Sequence, residues 1–316
     1  MDTVFSGKPA HSATRLSGLL RCPQCGSTFE GEHRLVCQRG HAYDVINGVP
    51  RLLESNWDPN QSDLVVKTRV GFGKQWEQFA NDATVTLEDL MKHLPAGWNH
   101  STFSGLILDV GCGMGRYAAL VSGMGATVIG LEPSAAVTVA AQRSPEILFV
   151  QGDIIAAPFA PKTFDLVYSF GVIHHLPDPR RGLRACFELI RPGGLMLIWV
   201  YSKRRGAIRW FRQRARLVIR KFPSLIHPAA WSAAVCLWLL FLLPRRSFHL
   251  ELRRFSFYDD KSFRQLRVDC YDALQAPLEV YLSDDDCRDW LQDLPSGSSG
   301  FEKRRDGSGW IIWARA

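Results

Sequence analysis

The stretch LILDVGCGMGRYAAL, residues 106–120, decides the fold. Leu106, Ile107, Leu108 and Val110 make a short apolar run around Asp109, Gly111, Gly113 and Gly115 then alternate with other residues, and a helical pattern begins at Arg116. An apolar run, a glycine turn and a helix start read as strand, tight turn and helix N-terminus, the arrangement that brings backbone N–H groups to a cofactor. A dinucleotide fingerprint requires G-x-G-x-x-G, with a third glycine where helix packs on strand. Counted from Gly111 and Gly113, that place is taken by Arg116, so the turn is of another kind.

Outward from this stretch the chain alternates. ATVIGLEPS and ILFVQGD read as the next strands, TFDLVYSF as a fourth and GLMLIWVYS as a fifth, with helical patterns over SAAVTVAAQRS and RRGLRACFELI. Near-continuous apolar strands separated by helices predict a parallel sheet covered on both faces, with right-handed crossovers. At the end, GFEKRRDGSGWIIWARA reads as an antiparallel hairpin turning at Gly307-Ser308-Gly309. The expected fold is α/β: a Rossmann-like doubly wound sheet with a C-terminal hairpin, a small N-terminal metal ribbon and a helical insertion. The expected division is a flexible tail over 1–18, a ribbon over 19–54, a main domain over 55–201 and 283–316, and an insertion over 202–282.

LDVGCGMGRYA resembles the first motif of class I S-adenosylmethionine-dependent methyltransferases, of the type 11 kind, and four further features follow in order. The resemblance spans about residues 105–201 and implies S-adenosylmethionine as cofactor, bound near Asp109, Gly111, Gly113 and Gly115. Glu132 ends the second strand, where an acid takes both ribose hydroxyls. In the family the acid at Asp153 approaches the adenine amino group, and the next residue, Ile154, packs on the ring. FDLVYSFGVIHHLPDP resembles the fourth motif and adds Phe170 to the cofactor side. LIRPGGLMLIWV resembles the turn and fifth strand, entered sharply through Pro192-Gly193-Gly194. Taken singly, Asp109 could cap the helix turn, Glu132 could be a solvated strand end and Asp153 a turn residue. Their shared position at the carboxyl ends of adjacent strands, where open sheets bind ligands, raises them together.

TRVGFGKQWEQF reads as a helix before the first strand, and Phe72 and Trp76, four apart, share one face of it. Similar pairs in related methyltransferases lie over the methionine end of the cofactor; core packing is the alternative. Just past the fourth strand, His174 and His175 are the candidate catalytic residues, since imidazole titrates near neutrality and suits a general base. The resemblance departs here from several quinone-type small-molecule methyltransferases, in which a Glu-His pair stands at this place. The alternative is that one histidine orients the loop. Asn-Pro-Pro-Tyr, the mark of many exocyclic-amine methylases, is absent from this place.

Cys22, Cys25, Cys37 and His41 give C-x2-C-x11-C-x3-H, which suits a closed tetrahedral zinc site of structural type. His33 is an alternative fourth ligand. The segment resembles the N-terminal zinc ribbon of rRNA guanine methyltransferases. A unit this small buries too little apolar surface to fold alone, so metal would offset the deficit.

The net charge of +7 is concentrated: between Ser202 and Phe222 there are nine Lys or Arg and no acid. Arg205, Arg209, Arg212, Arg216 and Arg220 recur at helical spacing beside an apolar stripe of Ala207, Phe211, Ala215, Val218 and Phe222. This pattern predicts a basic amphipathic helix, which suits an anionic membrane surface across 203–245, a solvated face, or RNA phosphate. The apolar run 229–243, AAWSAAVCLWLLFLL, is short for a span and reads as interfacial, re-entrant or a lid. A basic stripe followed by an apolar helix, where substrate should approach, points to a small-molecule or lipid acceptor held at or near a membrane. The alternatives are an RNA methyltransferase using ribbon and stripe, and a non-catalytic cofactor-binding protein. No protein partner is inferred. The first twenty residues hold no continuous apolar core, and three of the eight Cys sit in the metal pattern, so the expected place is the cytoplasm, with peripheral attachment at the inner membrane face as its extension.

Overall fold

The computed structural model describes residues 18–53, 63–79, 84–203, 207–242, 262–276, 278–304 and 307–316. The expected tail up to residue 17, the linker 54–62 and residues 243–261 lie outside the described residues.

The chain begins with four short strands, β1 (Phe29–Glu30), β2 (Arg34–Cys37), β3 (Ala42–Ile46) and β4 (Val49–Leu52), followed by helices α1 (Asp63–Gln78) and α2 (Leu87–Met91). The alternating part comprises β5 (Leu106–Val110), α3 (Arg116–Gly123), β6 (Thr127–Glu132), α4 (Ala136–Arg143), β7 (Leu148–Gly152), β8 (Phe164–Phe170), α5 (Pro179–Leu189) and β9 (Ile190–Tyr201). Helices α6 (Ala207–Lys221), α7 (Ile226–Leu242) and α8 (Phe263–Gln275) form the insertion, and α9 (Asp284–Gln292), β10 (Ser298–Lys303) and β11 (Gly309–Arg315) close the chain.

All strands join one sheet in the order β1-β2-β3-β4-β7-β6-β5-β8-β9-β11-β10. The stretch from β4 to β9 is parallel. The order reverses between β5 and β8, and this is the switch point at which doubly wound sheets open a ligand crevice. The C-terminal hairpin pairs Lys303 with Trp310 and Ser298 with Arg315, and β11 adds antiparallel to β9. Pro192-Gly193-Gly194 lies within β9 as an irregular entry: the pairing steps from Phe164↔Ile190 to Leu166↔Leu195.

Side chains alternate between the two faces of the sheet, giving two cores. Leu108 and Val110 share one with Leu183, Cys186 and Phe187 of α5 and with Cys287, Trp290 and Leu291 of α9. Ile107 shares the other with Leu90 of α2, Ala118 and Val121 of α3, and Val137 and Ala140 of α4. Each large side chain so buried contributes about 1.5–3 kcal/mol before entropy is charged against it. Polar starts fix the covering helices: the Asp178 carboxylate accepts the Arg181 N–H (3.0 Å) ahead of Pro179, and Ser283 with Asp286 forms a capping box on α9.

The ribbon is fused to this body. Leu20, Phe29, Leu35 and Tyr43 pack into the same core as Leu108. Strand β4 adds parallel to β7, with Arg51 opposite Gln151 and Leu52 opposite Gly152. The insertion is tied down by a third core, in which Ala230 and Ala234 of α7 and Leu266 of α8 meet Phe79 and Met114. Among the described residues, Trp231, Trp238 and Leu239 of α7 are exposed, the two tryptophans meeting Phe263 of α8 edge-on, and Leu217, Val218, Phe222 and Leu225 before them are exposed as well. Among the described residues, no helix is long and apolar enough to cross a membrane.

Candidate active site and metal centre

The glycine turn after β5 is held from below by an acid at the end of β6. Glu132, buried, accepts the Gly113 N–H at Oε2 (3.0 Å) and the Ser134 N–H at Oε1 (2.9 Å). Each oxygen keeps a second lone pair, so the carboxylate can still take ribose hydroxyls. Burial pushes its pKa up. Gly113 has φ +55°, and a Cβ there would stand 3.0 Å from Trp76 Nε1, so only glycine lets helix α1 come this close. Asp109 lies deeper: it is buried and its Oδ2 has no hydrogen-bond partner among the described residues. Burial pushes its pKa up to about 7 against the Tyr168 hydroxyl and the Ala118 N–H. That places it under the first turn of α3, whereas Glu132 lies at the turn itself.

Helix α1 runs across the crevice and presents Arg69, Phe72 and Trp76. Arg69 forms an ion pair with Asp153, whose other oxygen accepts the Ile155 N–H (3.0 Å). Trp76 lies over Gly113 and carries the Arg116 guanidinium 4.4 Å from its ring centroid, so the residue standing in the third glycine's place has an aromatic partner. Phe72 meets the His175 ring at 5.1 Å. Two further candidates have packing contacts of their own. Ile154 is buried in the core beside Leu108, and Phe170 stacks on His93 (4.4 Å between centroids) and Tyr168 (4.8 Å).

The two histidines differ in accessibility and bonding. His174 is fully buried, lies against Tyr201 with the rings tilted (4.0 Å between centroids) and has no hydrogen bond at either ring nitrogen among the described residues; burial holds its pKa well below the usual 6.5. His175 is 8% exposed and donates Nδ1–H to the Leu278 carbonyl (2.6 Å). A carbonyl only accepts, so in the neutral ring the lone pair is on Nε2. Burial also lowers the pKa of His175. A neutral imidazole with a defined basic nitrogen is suited to receiving a proton; His174 is suited to packing.

Two arginines of the expected outward stripe point inward. Arg216 is buried and, with Arg212, pairs with the Glu279 carboxylate at 2.5 and 3.3 Å. Arg205 lies outside the described residues. Periodicity marked these residues as one face, but their partner Glu279 follows 63 residues after Arg216 and 67 after Arg212 and leaves no local signal. Arg69 did leave one: it precedes Phe72 by three and Trp76 by seven, the spacing of a single helix face.

In the ribbon, the Sγ atoms of Cys22, Cys25 and Cys37 and a ring nitrogen of His41 lie within 4.8 Å of one another. His41 Nδ1 is 3.4 Å from both Cys22 Sγ and Cys37 Sγ, and Cys25 Sγ is 3.6 Å from Cys37 Sγ. A zinc–sulfur bond of about 2.3 Å requires tetrahedron edges of about 3.7 Å, so three thiolates and one imidazole at these separations fit zinc. His33 is not a member of the cluster. The Ser27 hydroxyl, followed by the Ser27 N–H, draws the Cys25 thiol down to about 6, which favours the thiolate.

Residues 108–198 match the family model described as a methyltransferase domain. A ubiquinone biosynthesis O-methyltransferase of Caulobacter sp. (strain K31) is 31% identical over 168 residues, covering 50% of this chain and 60% of that protein. A 2-phytyl-1,4-naphtoquinone methyltransferase of Thermosynechococcus vestitus is 31% identical over 147 residues, covering 44% of this chain and 65% of that protein. The chain thus spans less than two thirds of the length of either relative. Among solved structures, an S-adenosylmethionine dependent methyltransferase from Mesorhizobium loti is 25% identical with a TM-score of 0.32, covering 37% of this chain and 55% of that one.

Proposed function

We propose that this chain, whose residues 108–198 are a methyltransferase domain of the class I, S-adenosylmethionine-dependent type, methylates a small lipophilic acceptor of quinone type. The observation that carries the reading is the joining of two half-sites by one helix. Through Arg69, Phe72 and Trp76, α1 touches Asp153, the glycine turn and His175. The names of the two curated relatives support the acceptor class.

The cofactor would be held by the Gly111–Gly115 turn, with Glu132 taking the ribose hydroxyls and Asp153 lying toward the adenine. When bound, S-adenosylmethionine supplies an electrophilic sulfonium methyl group. The chain's own part is to orient and to move a proton. Where the acceptor is a ring hydroxyl, Nε2 of His175 takes its proton, while Nδ1–H stays on the Leu278 carbonyl. Phe72, Trp76 and the insertion above them keep water from the transferring methyl group.

The exposed apolar residues of α6 and α7 would bring such an acceptor in from an anionic membrane surface. Trp231 and Trp238 suit the headgroup level, and Arg214 and Lys221 are exposed beside the apolar residues. The ribbon would hold one structural zinc, with no open position for chemistry.

Mass spectrometry of soluble catechol- and naphthoquinol-type rings incubated with the protein and S-adenosylmethionine tests the function. The expected result is a product heavier by one methyl group with at least one ring class. Cofactor binding with no methylated ring of either class would overturn the acceptor reading.

A further inference from the structure

The segment 278–282 connects the insertion to α9 and crosses the carboxyl ends of β8 and β9. It is fastened at several backbone positions. Val280 N–H donates to the His174 carbonyl (2.9 Å), and Leu282 N–H to the Tyr201 carbonyl (3.0 Å). The Leu282 carbonyl accepts Trp310 Nε1–H (2.8 Å). At the near end of this strap, the Leu278 carbonyl receives Nδ1–H of His175.

The next residue brings in the insertion. The Glu279 carboxylate, 3% exposed, accepts from Arg216 Nη1 (2.5 Å), Arg212 Nη2 (3.3 Å) and the Tyr281 hydroxyl, all at Oε2. Arg216 also donates Nε–H to the Ala273 carbonyl at the end of α8 (2.8 Å). Helix α6 is therefore pinned through one buried carboxylate to the peptide that orients the imidazole, and Arg216 joins α8 to the same cluster. A buried ion cluster contributes little net stability, because desolvation offsets the Coulomb gain, but its directional bonds fix geometry.

We propose that Glu279 and Arg216 are positioning residues: the clamp from α6 fixes the 278–282 strap so that the Leu278 carbonyl keeps His175 with its lone pair on Nε2, toward the acceptor. The proposal rests on the reading of His175 as the base. It makes the insertion part of the proton-transfer machinery as well as a route for substrate. The groups facing His175 are His174 on its own turn, Glu279 on the strap, Arg212 and Arg216 on α6, and Tyr201 on β9; from α1 it meets the apolar ring of Phe72.

The test is nitrogen NMR of protein labelled at histidine, with His175→Gln assigning the signal. The full chain is expected to show His175 as a single Nδ1–H tautomer. In Glu279→Ala and Arg216→Met the Nε2–H tautomer should appear, turnover should fall roughly ten- to hundredfold, and the affinity for S-adenosylmethionine should hold. Arg216→Lys should restore much of both. If Arg216→Met fails to fold, Arg212→Met, at a side chain 25% exposed, carries the same expectation. A His175 signal that keeps its single tautomer in Glu279→Ala and in the arginine variant overturns the clamp. Full turnover in His175→Gln, with the tautomer still responding to Glu279→Ala, would remove the base reading and leave the clamp standing.

Discussion

At the residue scale, neighbouring side chains of the same type have different tasks. His174 and His175 are adjacent in sequence, yet one is sealed under Tyr201 and the other keeps a bonded Nδ1 and some exposure. His175→Gln should lower turnover by roughly a hundredfold or more, the usual worth of a general base, with calorimetry showing unchanged cofactor affinity. Both imidazoles resist protonation when folded, whereas the unfolded chain takes protons near the usual 6.5. The stability they contribute is therefore complete above that value and is lost as pH falls toward their lowered folded values. The unfolding midpoint should drop between pH 7.5 and pH 5, and drop less in His174→Phe. Asp109 acts with the opposite sign. Its carboxyl, raised to about 7, carries a burial cost that grows as pH rises from 3.8 toward that value. Asp109→Asn should raise the midpoint of the cofactor-free protein more at pH 8 than at pH 5. The glycine turn was legible because positive φ at Gly111, Gly113 and Gly115 is a matter of local backbone geometry. The separation of the two histidines was not, because it depends on a carbonyl contributed 103 residues later.

At the element scale, helices α1 and α7 each present one side to the body and one side elsewhere. For α1 the inward stripe reaches Asp153, the glycine turn and His175. Trp76→Ala should weaken S-adenosylmethionine binding about tenfold, the equivalent of ~1.4 kcal/mol, as read by calorimetry. For α7 the alanines at 230 and 234 are packed while Trp231 and Trp238 are exposed. Replacing both tryptophans by serine should reduce co-sedimentation with anionic vesicles without changing the unfolding midpoint. Steep salt-dependent RNA binding in place of vesicle binding would contradict the membrane reading. The helix of α1 was readable from residue spacing, whereas the apolar run of α7 was read from its length as interfacial, re-entrant or a lid. The direction of the arginines on α6 was not readable, since spacing defines a face without saying what that face meets, and Glu279 turns Arg212 and Arg216 inward.

At the scale of the whole molecule, the ribbon and the sheet are one structure. The CPQCG turn and its partners mark four candidate ligands in the sequence, and the structure brings Cys22, Cys25, Cys37 and His41 together at separations a metal could bridge. The pairing of β4 with β7 had no local signal, because a parallel partner 100 residues away leaves no mark on a four-residue strand. Through that pairing Arg51 bonds Gln151 and Thr138, and Gln151 in turn bonds the carbonyls of Pro133 and Ser134, beside Glu132. Metal analysis should find about one zinc per chain, as one closed site holds one ion, and none in Cys22→Ser. Chelation should lower the midpoint of the main unfolding transition, because the ribbon shares its core with the sheet. The central claim, methyl transfer to a lipophilic ring, is tested most directly by incubating the protein with methyl-labelled S-adenosylmethionine and a bacterial extract separated into lipid, small-molecule, RNA and protein fractions. Label is expected in a quinone-bearing lipid fraction and is expected to be lost in His175→Gln. Label in RNA, or in no fraction while cofactor still binds, would contradict it.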